Sequence, residues 1–223
     1  MGIDAVGIPR SRFSTMKNLL STFAACAALV MTVSAAEEEK VEKGFVSLFD
    51  GKTLEGWKVG DNPGAFKVED GAIVANGSCA HLFYQGKEHD AKWENFEIRL
   101  DVMTKPNSNG GFFISTVYQE KSWPSHGYEV QVNNTQSDWK KSGGLYNYAD
   151  NKEPFKDNEW MKYVIIVNKG VVNVTVNGKE IVKDFKAEGD KNKLEKGGGT
   201  FAIQAHDKGS TTLYKNIRIK ALD

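Results

Sequence analysis

The chain has 223 residues, with 29 Lys and Arg against 29 Asp and Glu, no formal net charge and 40% hydrophobic residues. Such a balance supplies neither the basic stripe that nucleic acid requires nor a polybasic segment for an anionic membrane, and the length suits one well-buried domain better than two.

The N-terminus is read first. Met16-Lys17 precede an apolar run from Leu19 to Val33, and the small residues Ser34, Ala35 and Ala36 follow. These are the parts of a secretory signal peptide over residues 1–36, cleaved after Ala36, with translation starting at Met16. The run is too short, and too quickly followed by Glu37-Glu38-Glu39, for a membrane anchor. A secreted or periplasmic bacterial location is therefore expected. Past that point Cys79 is the only cysteine, so neither an intramolecular disulfide nor a cysteine metal site can form. Residues 37–43, charged and unpatterned, are expected to be a flexible tether, and residues 44–223 a single domain.

That domain reads as β almost throughout. Phe66–Glu69 and Ala72–Ala75 flank Asp70-Gly71, a two-residue hairpin signal. Phe96, Ile98, Leu100 and Val102 alternate with polar residues in a half-buried strand. Shorter strands are expected over 110–115 and 144–148, with glycines where backbones pass closely. Residues 163–167, 172–176 and 180–182 form a meander through Asn168-Lys169-Gly170 and Asn177-Gly178. The last strand, 211–221, should turn Leu213, Ile217 and Ile219 inward. Only residues 86–93 hint at a helix. Many short strands with frequent turns predict an all-β jelly-roll sandwich, concanavalin- or lectin-like, with a concave polar groove.

Two segments carry the chemistry. In His126-Gly127-Tyr128-Glu129-Val130-Gln131-Val132, alternation buries Tyr128, Val130 and Val132 and turns Glu129 and Gln131 to the opposite face. In Thr200 to His206, Phe201, Ile203 and Ala205 face inward while Gln204 and His206 share the other side. The two strands are expected to share one polar wall, suited to gripping a polyhydroxylated ligand or moving a proton. Tyr146, Tyr148 and Trp123 are candidates for stacking on sugar rings. Trp57, Trp93 and Trp160 read as core, and His81 and His89 fall in a loop-rich stretch without an identifiable partner.

Taken in order, Phe45-Val46-Ser47-Leu48-Phe49-Asp50-Gly51-Lys52-Thr53-Leu54-Glu55-Gly56-Trp57, Gly127-Tyr128-Glu129-Val130-Gln131, Gly144-Leu145-Tyr146, Asn158-Glu159-Trp160, Val176-Asn177-Gly178 and Asn216-Ile217-Arg218-Ile219-Lys220 resemble the 3-keto-disaccharide hydrolase family. The resemblance implies a secreted jelly roll that cleaves 3-keto-glycosides made by a partner oxidoreductase, as hydrolase or lyase. Where many relatives carry an Asn-Ser-Gly-Ile-Phe type strand, this chain has Asn109-Gly110-Gly111-Phe112-Phe113.

A retaining glycosidase needs two carboxyl groups roughly 5 Å apart. Here the outward positions after Glu129 are Gln131 and Asn133, so a second carboxylate would have to come from Asp101 or Asp207. A 3-keto sugar asks for less, because its ketone acidifies the C2 proton, and one base with one stabiliser of the enolate suffices. His206 is the preferred base and Glu129 the other catalytic candidate, with Gln131, Gln204, His126, Tyr146, Asn109 and Trp123 binding the sugar. No cofactor is demanded. A divalent cation on His126, Glu129, His206 and Asp207 is an alternative way to polarise the ketone, although no metal-ligand spacing supports it. A non-catalytic carbohydrate-binding module is the competing function. Expected partners are a small sugar, and neither nucleic acid nor membrane; the oligomeric state is open.

Overall fold

A computed structural model describes residues 42–223; the expected signal peptide and most of the tether lie outside the described residues. Fifteen strands follow one another: β1 (Val46–Ser47), β2 (Trp57–Val59), β3 (Phe66–Glu69), β4 (Ala72–Ala75), β5 (Ala80–Tyr84), β6 (Phe96–Thr104), β7 (Asn109–Thr116), β8 (Tyr128–Asn133), β9 (Lys141–Leu145), β10 (Ala149–Asn151), β11 (Met161–Asn168), β12 (Val171–Val176), β13 (Lys179–Lys186), β14 (Thr200–Ala205) and β15 (Thr212–Ala221). They form two antiparallel sheets. One is ordered β13-β12-β11-β6-β15-β4-β3, with β1 added to β15; the other, which carries the candidate site, is ordered β10-β9-β8-β7-β14-β5-β2. This is the jelly-roll sandwich that the alternation predicts.

The tight turns form where the sequence asks for them. Asp70-Gly71, Lys169-Gly170 and Asn177-Gly178 all have positive φ at both positions, as type I′ hairpins require. Residues 86–93 are not an α-helix: Glu88–Ala91 is a 3-10 turn broken by left-handed His89 and Asp90. The last strand departs from simple alternation. Its pairing with β6 shifts between Lys215 and Arg218, with Asn216 at φ 52°, so the buried set is Tyr214, Ile217 and Ile219 while Leu213 faces outward. Trp57 and Trp93 are buried as expected, whereas Trp160 is only partly covered and carries the Lys215 ammonium 4.3 Å from its ring. The end of the expected tether is fastened, since Glu42 pairs with Arg218 at 2.5 Å and with Arg99 at 3.2 Å.

Phe96, Ile98, Leu100 and Val102 of β6 pack in one core with Phe112, Ile114, Val130, Val132 and Ile203 of the site sheet. Two tyrosines cross this core. From β11, the Tyr163 hydroxyl donates to the Gln131 carbonyl at 3.1 Å, and from β15 the Tyr214 hydroxyl donates to the Gly111 carbonyl at 3.3 Å. Gly111 and Gln131 are register partners, so both bonds brace one spot on the site sheet from beneath. Burial pushes both phenols well above their usual range, which keeps them as donors. Removing either hydroxyl deletes a buried hydrogen bond between the sheets, so Tyr163→Phe and Tyr214→Phe should each lower unfolding free energy by about 1 kcal/mol in urea titrations, with unchanged circular dichroism.

Candidate functional site

Register sets the outer face of the site sheet in rows. Phe83 (β5), Ala202 (β14), Phe113 (β7) and Glu129 (β8) lie abreast in one row. The next holds His81, Gln204, Gly111 and Gln131, and a third holds Asn109 and Asn133. Their chain neighbours Ala80, Leu82, Phe112, Val130 and Ile203 point into the core, which is the period-2 alternation of a two-faced sheet.

The strands of Glu129 and Gln204 are not neighbours, because β7 runs between them. What joins them is Gly111. A Cβ there would overlap the Glu129 carboxylate and stand 2.8 Å from its Cγ. With only hydrogen at that point, the glutamate lies diagonally across β7 and accepts a hydrogen bond from Gln204 Nε2 at 2.9 Å. Burial pushes the Glu129 carboxyl up to about 7, against the opposing hydrogen bond from Gln204, with nearby Asp138 adding to the rise and Lys140 reducing it. The serine that relatives carry at the position of Gly110 would meet Thr212 and Tyr214 on the core side, away from this cluster.

His206 lies just past the end of β14. Its Nδ1 is 2.8 Å from Asp207 Oδ2, which leaves Nε2 as the ring's free nitrogen. Asp207 also accepts from Ser210 Oγ and the Gly209 N–H, both at 2.8 Å, and Ser210 Oγ accepts from the Asn109 N–H at 2.9 Å. Burial works against ionisation of Asp207, but the bonds from His206, Ser210 and Gly209 outweigh it and hold the carboxyl below its usual range. Trp123, 46% exposed, rests its ring 5.4 Å from His206 and 5.5 Å from His81. Beside it Phe83, Phe113 and Ala202 form a small apolar cluster, against which Tyr118 packs.

Tyr146 reaches the cluster by a turn rather than a strand, since β9 ends at Leu145 and Asn147 has φ 67°. Its N–H donates to the Glu129 carbonyl at 3.0 Å, its hydroxyl donates to Asp138 Oδ2 at 3.3 Å, and Lys140 Nζ sits 3.8 Å from its ring. Tyr148 turns the other way and packs on Tyr128 and Phe185, so it is not a stacking platform. His126 stands apart: it is half-exposed and bound to Glu195 Oε2 at 2.9 Å. Asp101, a candidate second carboxylate, belongs to β6 in the opposite sheet, where Asn216 Nδ2 donates to it at 2.7 Å. Among the described residues no three His, Cys, Asp or Glu side chains converge, so the four residues considered for a cation do not fit one.

His81 is what sequence reading missed. It is in β5, not a loop, 2% exposed and paired in register with Gln204. The run Ala80-His81-Leu82-Phe83-Tyr84 hides its two faces because the outward neighbour Phe83 is as apolar as the inward residues.

A sandwich that gathers a carboxylate, amides, imidazoles and an exposed indole on one open sheet face belongs to the carbohydrate-handling β-sandwiches. Residues 44–220 match the profile of the 3-keto-alpha-glucoside-1,2-lyase-like domain, and the chain belongs to that family, as a carbohydrate-active, glycosyl hydrolase-like protein. Two crystal structures from Parabacteroides distasonis, provisionally described as glycosyl hydrolases, have the same fold. One has TM-score 0.67 and 23% identity over 81% of this chain and 94% of the other; the second has 0.61 and 22% over 80% and 99%. A carbohydrate-binding module from Bacillus subtilis is similar at TM-score 0.55 and 12% identity, over 74% of this chain and 96% of the module. No curated protein matches the sequence.

Because the folded pKa of Glu129 lies above its ordinary 4.5, ionisation costs the native state stability. The cost is absent below pH ~4.5, grows through pH ~7 and is constant above it. Glu129→Gln should therefore match the parent's stability at pH ~4.5 and exceed it by about 2–3 kcal/mol at pH ~8.5, measured by urea unfolding at both values. Gly111→Ala should fold but displace the carboxylate toward water, bringing its carbon-13 titration midpoint below that of the parent.

Proposed function

We propose that this protein is an exported enzyme that cleaves 3-keto-glycosides on the outer face of the β5–β14–β7–β8 sheet. The observation that carries the reading is Glu129, a partly buried carboxyl held at about 7 over Gly111 and fixed by Gln204. A base whose pKa lies near the working pH combines a populated ionised form with a strong pull on the proton. Glu129, rather than His206, takes the proton from C2 of the keto sugar. The C2–H electron pair forms the enolate to the C3 oxygen; its return expels the C1 substituent, breaking the C1–O bond and leaving a C1=C2 double bond. His206, acting as the imidazolium with its Nδ1–H held by Asp207, gives its Nε2 proton to the leaving oxygen and is left as the neutral Nδ1–H form. Addition of water across the new double bond gives net hydrolysis; release before addition gives a lyase.

On the outward face of β8 Glu129 is the single carboxylate, which supports this chemistry over an acid pair carried on one strand. Gln131 and Asn133 follow Glu129 on the same face of β8, and neither can act as the nucleophile or general acid of a retaining glycosidase.

Incubation with a 3-keto-disaccharide in deuterium oxide, followed by proton NMR, tests the proposal. The products should be an unsaturated keto sugar, or a hydrolysed one carrying deuterium at C2. Retention of the C2 proton in the product would exclude the mechanism. Turnover should rise as the pH increases toward ~7, because the base must be ionised, and Glu129→Gln should lose at least ~100-fold in kcat. Tight sugar binding with no turnover, retained in His206→Ala, would instead identify a binding module.

A further inference from the structure

The reaction above leaves several buried polar groups on this face unused. Five buried side-chain polar atoms among the described residues have no hydrogen-bond partner, and three of them, His81 Nε2, Gln204 Oε1 and Asn109 Oδ1, belong to the outer face of the site sheet. Buried polar groups are rarely left unpaired, so three on one face indicate a surface shaped for a polar ligand. Gln204 and Asn109 offer oxygens, which accept from sugar hydroxyls. His81 differs in chemistry and in surroundings.

Its ring is held on several sides. Phe113 meets it edge-on at 5.3 Å, Phe83 lies at 6.1 Å, and Trp123 covers it at 5.5 Å. Burial, with the neighbouring His206 adding to it, lowers its pKa to about 4, so at neutral pH the imidazole is uncharged, with one N–H donor and one acceptor nitrogen. Its β5 position puts it abreast of Gln204, the residue that holds the proposed base. Trp123, half-exposed, lies against the imidazole, so the contact proposed below requires that indole to move aside for a ligand seated beside Glu129.

We propose that His81 is a recognition residue that donates its Nε2–H to the ketone oxygen of the sugar and selects the keto sugar over the parent alcohol; this rests on the sugar-site reading above. A ketone oxygen only accepts, which suits a single donor. A hydroxyl in the same place brings a proton of its own that the carbon edges of Phe83 and Phe113 cannot accept, so it must turn to Gln204 Oε1 and compete for it with the sugar's other hydroxyls. The same donor favours the enolate as charge moves onto that oxygen during C2 deprotonation.

The test uses 1,5-anhydroglucitol and its 3-keto derivative, which carry no aglycone at C1 for the proposed reaction to release. By isothermal titration, the wild-type protein should bind the ketone at least ~10-fold more tightly than the alcohol. His81→Phe, which keeps an aromatic ring among its aromatic neighbours, should abolish that preference by weakening ketone binding while leaving alcohol binding little changed. His81→Asn should restore part of it through its amide N–H. Glu129→Gln should keep the preference, which separates recognition from proton transfer. In wild-type protein, the nitrogen-15 resonance of His81 Nε2 should move on saturation with the ketone while the ring stays in its neutral tautomer; this readout holds even where a variant fails to fold. Equal binding of both sugars, a preference that survives in His81→Phe, or an unmoved resonance overturns the role of His81 and leaves the sugar site standing. Absence of binding by either sugar overturns both.

Discussion

The Glu129 carboxylate can lie against the sheet only because the strand beneath it has a hydrogen atom where any other residue would place a carbon. Gly111 sits midway between Gln131 and Gln204 in the register, and the glutamate crosses it to reach an amide two strands away. An ordinary outward glutamate stands off the sheet and keeps its water. This one is laid down, loses much of that water, and receives one hydrogen bond in return. Its raised pKa therefore follows from a residue that has no chemistry of its own. The bracing beneath serves the same point, since Tyr163 and Tyr214 hold the backbone carbonyls of Gln131 and Gly111 from the opposite sheet. A shift of either strand would change the distance that the carboxylate has to span.

Most of the sandwich was legible in the sequence because its signals are local. Turn pairs such as Asp70-Gly71 and Asn177-Gly178 fix hairpins through backbone sterics alone, and the alternation of Tyr128, Val130 and Val132 with Glu129 and Gln131 fixes which side chains face out. The failures came where a non-local partner decides. The bulge at Asn216 moves the buried set of β15 out of step, and nothing in Thr211 to Ala221 announces it, since the mismatch exists only in the pairing with β6. Tyr146 was read as strand, although the chain turns directly after Leu145. His81 escaped for a different reason: its strand is apolar on both faces, so periodicity carried no information there.

The site itself was half legible. Glu129, Gln131, Gln204 and Asn109 share the expected face, but the two chemical strands meet through a third, and the meeting depends on a glycine noted only for close backbone approach. His126 illustrates the limit of proximity in sequence. It precedes Glu129 by three residues, yet Gly127 at φ 85° redirects the chain and Glu195 takes the imidazole.

Burial acts on the two central ionisable groups in opposite directions and toward one result. It raises the carboxyl of Glu129 to about 7 and lowers the imidazole of His81 to about 4, so each is displaced toward its uncharged form. Below pH ~7 the centre of the face is then close to neutral, with amides and an imidazole to exchange hydrogen bonds and phenylalanine edges to exclude water. Apart from the Lys140 ammonium at its Tyr146 edge, such a surface suits an uncharged polar ring held by hydrogen bonds. Under the proposed chemistry the same neutrality has a kinetic use. The enolate is the one anion the reaction makes, and an N–H donor in a place of low polarity acts on that charge more strongly than it does on the neutral ketone from which it forms.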